Sequence, residues 1–180
     1  MIEIRIHGRG GQGSVTLAEL LAEAGFYGGK EVQAFPNFGV ERRGAPVTAY
    51  VRLSDKFINL RSQVYSPDYA IVQDVSLLSD EKVLADLKKG AVVIINTAQD
   101  LDKYKLPSGI KILTINASGL AMEVIGKPII NTIMLGAFAG ATGLIKMSAI
   151  EKAIKARFSG ELADSNVKAA QRGYEVINNN

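Results

Sequence analysis

Cysteine is missing altogether, and iron–sulfur clusters, thiolate zinc sites, redox dithiols and disulfides are excluded with it. Any electron carrier that works with this chain must sit elsewhere. Histidine occurs once, at His7, beside a glycine cluster. A lone histidine at the end of a strand reads as a hydrogen-bonded structural residue, and no triad can be assembled around it. Long apolar runs are absent too. The longest candidate, 129–145, contains Asn131 and Thr132 and falls short of the roughly 20 residues a membrane span needs, so it reads as a buried helix. The N-terminus carries no basic region followed by a longer apolar one, and the expectation is a cytoplasmic protein without a membrane partner. A net charge of +3, without a clustered patch, gives no reason to expect nucleic acid.

What remains is the composition of an ordinary globular domain, 47% hydrophobic and 22% charged over 180 residues. No repeat or low-complexity linker divides it, so residues 1–180 are read as one domain. Ile2, Ile4 and Ile6 alternate with Glu3, Arg5 and His7, the period of a strand, and lead into Gly8, Gly10, Gly11 and Gly13. From Ser14 to Phe26 the apolar residues Leu17, Leu20, Leu21 and Ala24 share one helical face. Strands are expected at 31–35, stopped by Pro36, and at 46–53, 69–73, 91–96 and 110–115. A helix capped by Ser79 and ended by Gly90 would make 69–96 a βαβ crossover. Asn131 to Leu144 reads as a helix apolar nearly all round, where Gly136 and Gly140 permit close backbone packing. Ser148 and Glu151 fit a capping box before Ile150, Ile154 and Phe158, and Val167, Ala170, Tyr174 and Ile177 stripe a last helix. The sum is an α/β fold: a three-layer domain around a largely parallel sheet, with a Rossmann-like first β-loop-α unit and antiparallel members allowed near residues 46–66.

Gly8, Gly10 and Gly13 match the dinucleotide spacing G-x-G-x-x-G between a strand and a helix. Glycines let the backbone approach an anion, and the free N–H groups that open the following helix can bind phosphate oxygens. A nicotinamide or flavin site would also want an acid at the end of the second strand, about 20 residues on. That strand ends Gln33, Ala34, Phe35, Pro36, so the ribose anchor is missing. The alternatives are an anion contact in a larger assembly, or glycines that only let the helix pack tightly on the sheet.

Six of the eight arginines, Arg5, Arg9, Arg42, Arg43, Arg52 and Arg61, lie in the first 61 residues, and eight of the twelve Phe and Tyr residues precede residue 70. That pairing is the composition of interface anchors. Its densest segment, Asn37 to Pro46, surrounds Glu41, Arg42 and Arg43. It reads either as a partner or phosphate site or as a solvated turn with a local ion pair.

Three runs in order, IRIHGRGGQGSVTL from Ile4, FPNFGVERRGAPVTAYVRL from Phe35 and LRSQVYSPDYAIVQD from Leu60, resemble the gamma chains of 2-oxoacid:ferredoxin oxidoreductases. The loop ERRGAP is closer to the pyruvate and 2-oxoisovalerate branch than to the 2-oxoglutarate branch. The resemblance implies a hetero-oligomeric, thiamine diphosphate- and Mg2+-dependent enzyme that converts a 2-oxoacid and CoA to acyl-CoA and reduces ferredoxin. Alpha, beta and delta chains would carry the thiamine diphosphate and the iron–sulfur clusters. No cofactor, metal or catalytic residue is then expected on this chain alone. Gly8, Gly10, Gly11, Gly13, Arg42 and Arg43 are the candidates for contact with CoA phosphates or a neighbouring subunit. An indolepyruvate oxidoreductase subunit and a free-standing nucleotide-binding oxidoreductase are the alternatives.

Overall fold

The computed structural model describes residues 1–37 and 43–179. Its strands are β1 (Ile2–Arg9), β2 (Glu31–Asn37), β3 (Pro46–Ser54), β4 (Tyr69–Val72), β5 (Val92–Asn96) and β6 (Lys111–Ile115). Its helices are α1 (Ser14–Tyr27), α2 (Ala117–Val124), α3 (Asn131–Thr142), α4 (Met147–Arg157) and α5 (Gly160–Asn178). The strands form one mixed sheet in the order β2-β3-β1-β4-β5-β6. β1, β4, β5 and β6 run parallel, while β3 is antiparallel to both β1 and β2.

The predicted α/β class is therefore right, including an antiparallel member near residue 46, but the Rossmann analogy stops after α1. In a Rossmann unit the next strand would join the sheet beside β1. Here α1 leads into a β2–β3 hairpin, and β3 takes the place at β1. Pro36 does not stop β2. It sits inside an edge strand, where a missing N–H costs no ladder bond on the open side.

The period-two pattern of β1 sorts the two faces. Ile4 and Ile6, with Ala49, Val51 and Leu53 across the register, join one apolar cluster with residues of all five helices. Among the described residues, no α-helix covers the opposite face. The expected helix between β4 and β5 is replaced by two 3-10 turns, Val75–Ser79 and Glu81–Val83. The cause is local: the Asp74 and Asp80 side chains accept from the N–H groups of Ser76 and Lys82, turns that compete with continued helix. Leu77, Leu78, Val83 and Leu84 still reach the sheet and cover Ala70, Val72, Val93 and Ile95.

Other boundaries also move. α4 begins one residue before Ser148, with Lys146 at its N-cap and no side-chain cap bond, so the capping box does not form. Glu151 pairs instead with Lys155 one turn on. α2, not foreseen, is opened by Asn116, whose side chain accepts from the Gly119 N–H. α3 ends at Gly143 in the left-handed conformation.

Candidate functional site

Parallel strands deliver their carboxyl ends to one edge of the sheet, where ligands bind in α/β folds. β1 ends there in the glycine loop. Its last residue, Arg9, donates its N–H to Gln12 Oε1 at 2.8 Å, and the Gln12 N–H returns to the Arg9 carbonyl at 3.0 Å. The Gly10 N–H and carbonyl are both taken by the segment before β3, through Ala45 O at 2.8 Å and the Gly44 N–H at 3.1 Å. Gly13 sits at φ +75°, a conformation that favours glycine, as the N-cap of α1. A Cβ at Gly13 would lie 3.1 Å from Asn131 at the start of α3, so the loop is also hemmed in by packing. Gly8 is tighter: its Cβ would fall 2.2 Å from Ser14 Oγ.

The loop is held from below by an amide relay. Buried Ser14 donates its hydroxyl to Gln73 Oε1 at 2.6 Å, and Gln73 Nε2 donates to the Gln12 carbonyl at 3.3 Å. Asn96 in turn donates to the Gln73 carbonyl at 2.9 Å and to Ser118 Oγ at 3.0 Å. This ties the ends of β1, β4 and β5 to the first turn of α2. The Ser14 side chain is thus spent on the sheet and does not cap its own helix, and the first-turn N–H groups of α1 have no intrahelical acceptor. They open on a hollow of about 520 Å³ lined by Arg9, Gly10, Gly11, Gly13, Ser14, Val15, Arg43 and Val47. Backbone donors and arginine around such a space suit a phosphate group.

The two arginines named at the hollow, Arg9 and Arg43, play different parts. Arg9 is pinned: Nε donates to Asp74 Oδ2 at 2.9 Å, Nη2 to Ser76 Oγ at 2.7 Å and Nη1 to Gly44 O at 3.1 Å. Partial burial pushes the Asp74 carboxyl up, but the Ser76 hydroxyl and N–H and the Arg9 guanidinium outweigh it and hold Asp74 below the usual carboxylate range. Arg43 is exposed at the mouth of the hollow and makes no ion pair among the described residues. Gly10, Gly11, Gly13 and Arg43 therefore gather around the hollow, while Gly8 is buried against Ser14 and Gln73 and does not line it, and Arg42 lies outside the described residues. Gln12, Ser14, Gln73 and Asp74 were not singled out from sequence. They join the site through contacts across some 60 positions of chain, and only the step from Ser14 into the glycine spacing gave a local sign of it.

Two other early arginines, Arg5 and Arg52, are structural rather than interfacial. Arg52 is 1% exposed and satisfies Glu3, Gln33 and the carbonyls of Ser62 and Gln63. Arg5 is buried and donates to the carbonyls of Val83 and Ala85. His7 is buried with its Nε2 unpartnered, so the expected hydrogen bond is missing at that nitrogen. Burial, then the Arg5 charge, lower its pKa to about 3. No group of three or more metal-ligating side chains occurs among the described residues, and none of their helices is long and apolar enough to cross a membrane.

The fold is shared with known proteins. The family described as pyruvate ferredoxin/flavodoxin oxidoreductase matches residues 3–176. A pyruvate synthase subunit PorC from Methanocaldococcus jannaschii is 55% identical, with 98% of this chain and 97% of that one covered. A pyruvate/ketoisovalerate oxidoreductases common subunit gamma from Thermococcus kodakarensis is 53% identical, covering 97% and 96%. Among solved structures, the pyruvate oxidoreductase subunit PORC of Thermotoga maritima superposes with a TM-score of 0.86 at 39% identity, over 97% of this chain and 95% of that one. A 2-oxoglutarate:ferredoxin oxidoreductase chain from Magnetococcus marinus, solved with coenzyme A and succinyl-CoA bound, shares the fold with a TM-score of 0.83 at 21% identity, and this chain covers 31% of it. These relatives favour neither the indolepyruvate nor the free-standing reading. The chain belongs to the pyruvate ferredoxin/flavodoxin oxidoreductase family, among its gamma subunits.

Proposed function

We propose that this gamma subunit serves an oxidoreductase that converts pyruvate, or a branched-chain 2-oxoacid, and CoA to the acyl-CoA with ferredoxin as electron acceptor. Its glycine-loop hollow would meet phosphates of CoA. The observation that carries the substrate assignment is whole-chain identity above 50% to subunits named for pyruvate and for ketoisovalerate. The chemistry of carbon–carbon cleavage and electron transfer falls to alpha, beta and delta chains, since thiolate-held clusters need the cysteine this chain lacks.

The part left to this chain is binding and orientation. A phosphate in the hollow would accept from the opening N–H groups of α1, with Arg43 at its mouth, while Arg9 and Asp74 neutralise each other at 2.9 Å and keep the loop in shape. Fixing the anionic end of a long substrate lets binding energy position its reacting end elsewhere. The test is reconstitution. The purified chain should reduce no ferredoxin with pyruvate, CoA and thiamine diphosphate, and addition of the other subunits should give turnover with pyruvate or 3-methyl-2-oxobutanoate. Turnover restricted to 2-oxoglutarate or indolepyruvate would overturn the substrate assignment.

A further inference from the structure

The connection from β3 to β4 is far longer than its task requires. β3 and β4 both pair with β1, and their near ends sit beside Ile2 and Ile4, through Leu53 and Tyr69. Two strand spacings separate them, about 10 Å, a gap that about four extended residues would bridge. The chain instead spends residues 55–68 on it.

This excursion is held firmly. Arg52 donates to the carbonyls of Ser62 at 2.8 Å and Gln63 at 3.1 Å, Gln33 donates to the Leu60 carbonyl at 3.0 Å, and Gln63 reaches Asn37 at 3.1 Å. Val64 is buried beneath it. A loop fixed so thoroughly would be expected to turn its large apolar side chains inward. It does the reverse: Phe57 is 76% exposed, Tyr65 69% and Leu60 45%. Lys56 and Arg61 stand among them, also exposed, with no ion pair among the described residues. The nearest acid, Asp55, is engaged by Lys30, and no Asp or Glu occurs from Lys56 to Pro67.

We infer that the loop Lys56–Ser66 is a preformed docking face for another subunit of the same oxidoreductase, one that presents an apolar hollow rimmed by carboxylates. The inference rests on the gamma-subunit reading above for the existence of such a partner. Rigid aromatic anchors beside an arginine are the composition that carries binding energy at protein interfaces, and prior ordering of the loop lowers the entropy lost on association. The sign of the charge selects the occupant. A second copy of this chain, meeting the same patch about a two-fold axis, would set Lys56 and Arg61 against their like. An acidic partner would be drawn to them.

The experiment is assembly of the full complex from its subunits with the parent chain, with Phe57→Ser/Tyr65→Ser and with Lys56→Glu/Arg61→Glu. Both double variants should keep the parent's melting temperature as free chains and associate at least about tenfold more weakly, the loss typical of interface anchors. The charge-reversed variant should also lose the parent's weakening by salt. If the aromatic pair lowers the melting temperature, Arg61→Glu alone decides. Variants that assemble like the parent overturn the docking face, and so does a parent that self-associates through this loop. A parent chain that joins no partner at all would overturn the gamma-subunit reading instead.

Discussion

At the scale of single residues, the buried polar groups carry the sharpest consequences. His7 titrates near 3 in the fold against 6.5 in an open chain, because burial and then Arg5 disfavour its charged form, although Asp80 favours it. The folded protein therefore keeps His7 neutral while the unfolded chain binds a proton as the pH falls below 6.5, so stability is present above that pH and lost below it. Two pH units of that window are worth about 3 kcal/mol. His7→Gln, which cannot titrate, should close the stability gap to the parent as denaturation is followed from pH 7 to 4.5. A gap that stays constant would show that His7 is not what the acid attacks. Arg52 presents the opposite case, a buried cation with every nitrogen engaged. Arg52→Leu leaves Glu3 without its 2.9 Å partner and should cost about 3–5 kcal/mol. Amide exchange at 60–65 should rise with it, since two of the loop's anchors go. Sequence reading took the arginine bias as one signal of interfaces. It could not separate Arg5 and Arg52, which hold the molecule together, from Arg43 and Arg61, which face outward, because burial depends on which face of a strand the register delivers to cover.

At the scale of elements, α3 and α5 show how far a local pattern reaches. Gly136 and Gly140, one turn apart, signalled close packing, and the contact is with the α5 backbone: a Cβ at Gly136 would lie 1.7 Å from the Ala170 carbonyl oxygen. Gly173 on α5 answers it, where an added Cβ would lie 2.1 Å from the Ile133 carbonyl oxygen. Glycine to alanine in a helix ordinarily stabilises by about 1 kcal/mol. Here Gly136→Ala and Gly173→Ala must push two backbones apart and should destabilise by at least about 1–3 kcal/mol, as seen in urea midpoints. Unchanged midpoints would mean the helices can separate freely. α1 and α3 were legible because their apolar faces run unbroken for several turns, and the strands because short runs of β-forming residues stand between turn residues. The turns between β4 and β5 were not, since Asp74 and Asp80 divert the backbone with side-chain bonds that periodicity does not register. α2 is too short for a clear period, and its Asn116 cap was its only mark.

At the scale of the whole molecule, the departure from a dinucleotide fold follows from one insertion. The β2–β3 hairpin occupies the side of β1 where the second parallel strand, with its ribose-binding acid, would stand. The missing acid was visible in the sequence, but its cause was not, since strand order is set by pairing across the sheet. The hairpin instead brings Ala45 and Arg43 back over the glycine loop, closing the hollow at the carboxyl edge. Its two arginines then make a contrasting pair of tests. Arg9 has three hydrogen-bonded partners around the loop, so Arg9→Ala should lower the melting temperature of the free chain. Arg43 has no ion pair among the described residues, so Arg43→Ala should leave stability within about 0.5 kcal/mol. In the assembled enzyme the Arg43 variant should still co-elute with its partners while the apparent KM for CoA rises about tenfold, the scale of one charge-assisted phosphate contact. The KM for the 2-oxoacid should not move, because that substrate carries no phosphate for the hollow to hold. A variant that uses CoA like the parent would show that Arg43 marks only a solvated turn, and a variant that fails to co-elute would place a neighbouring subunit, rather than CoA, against the loop.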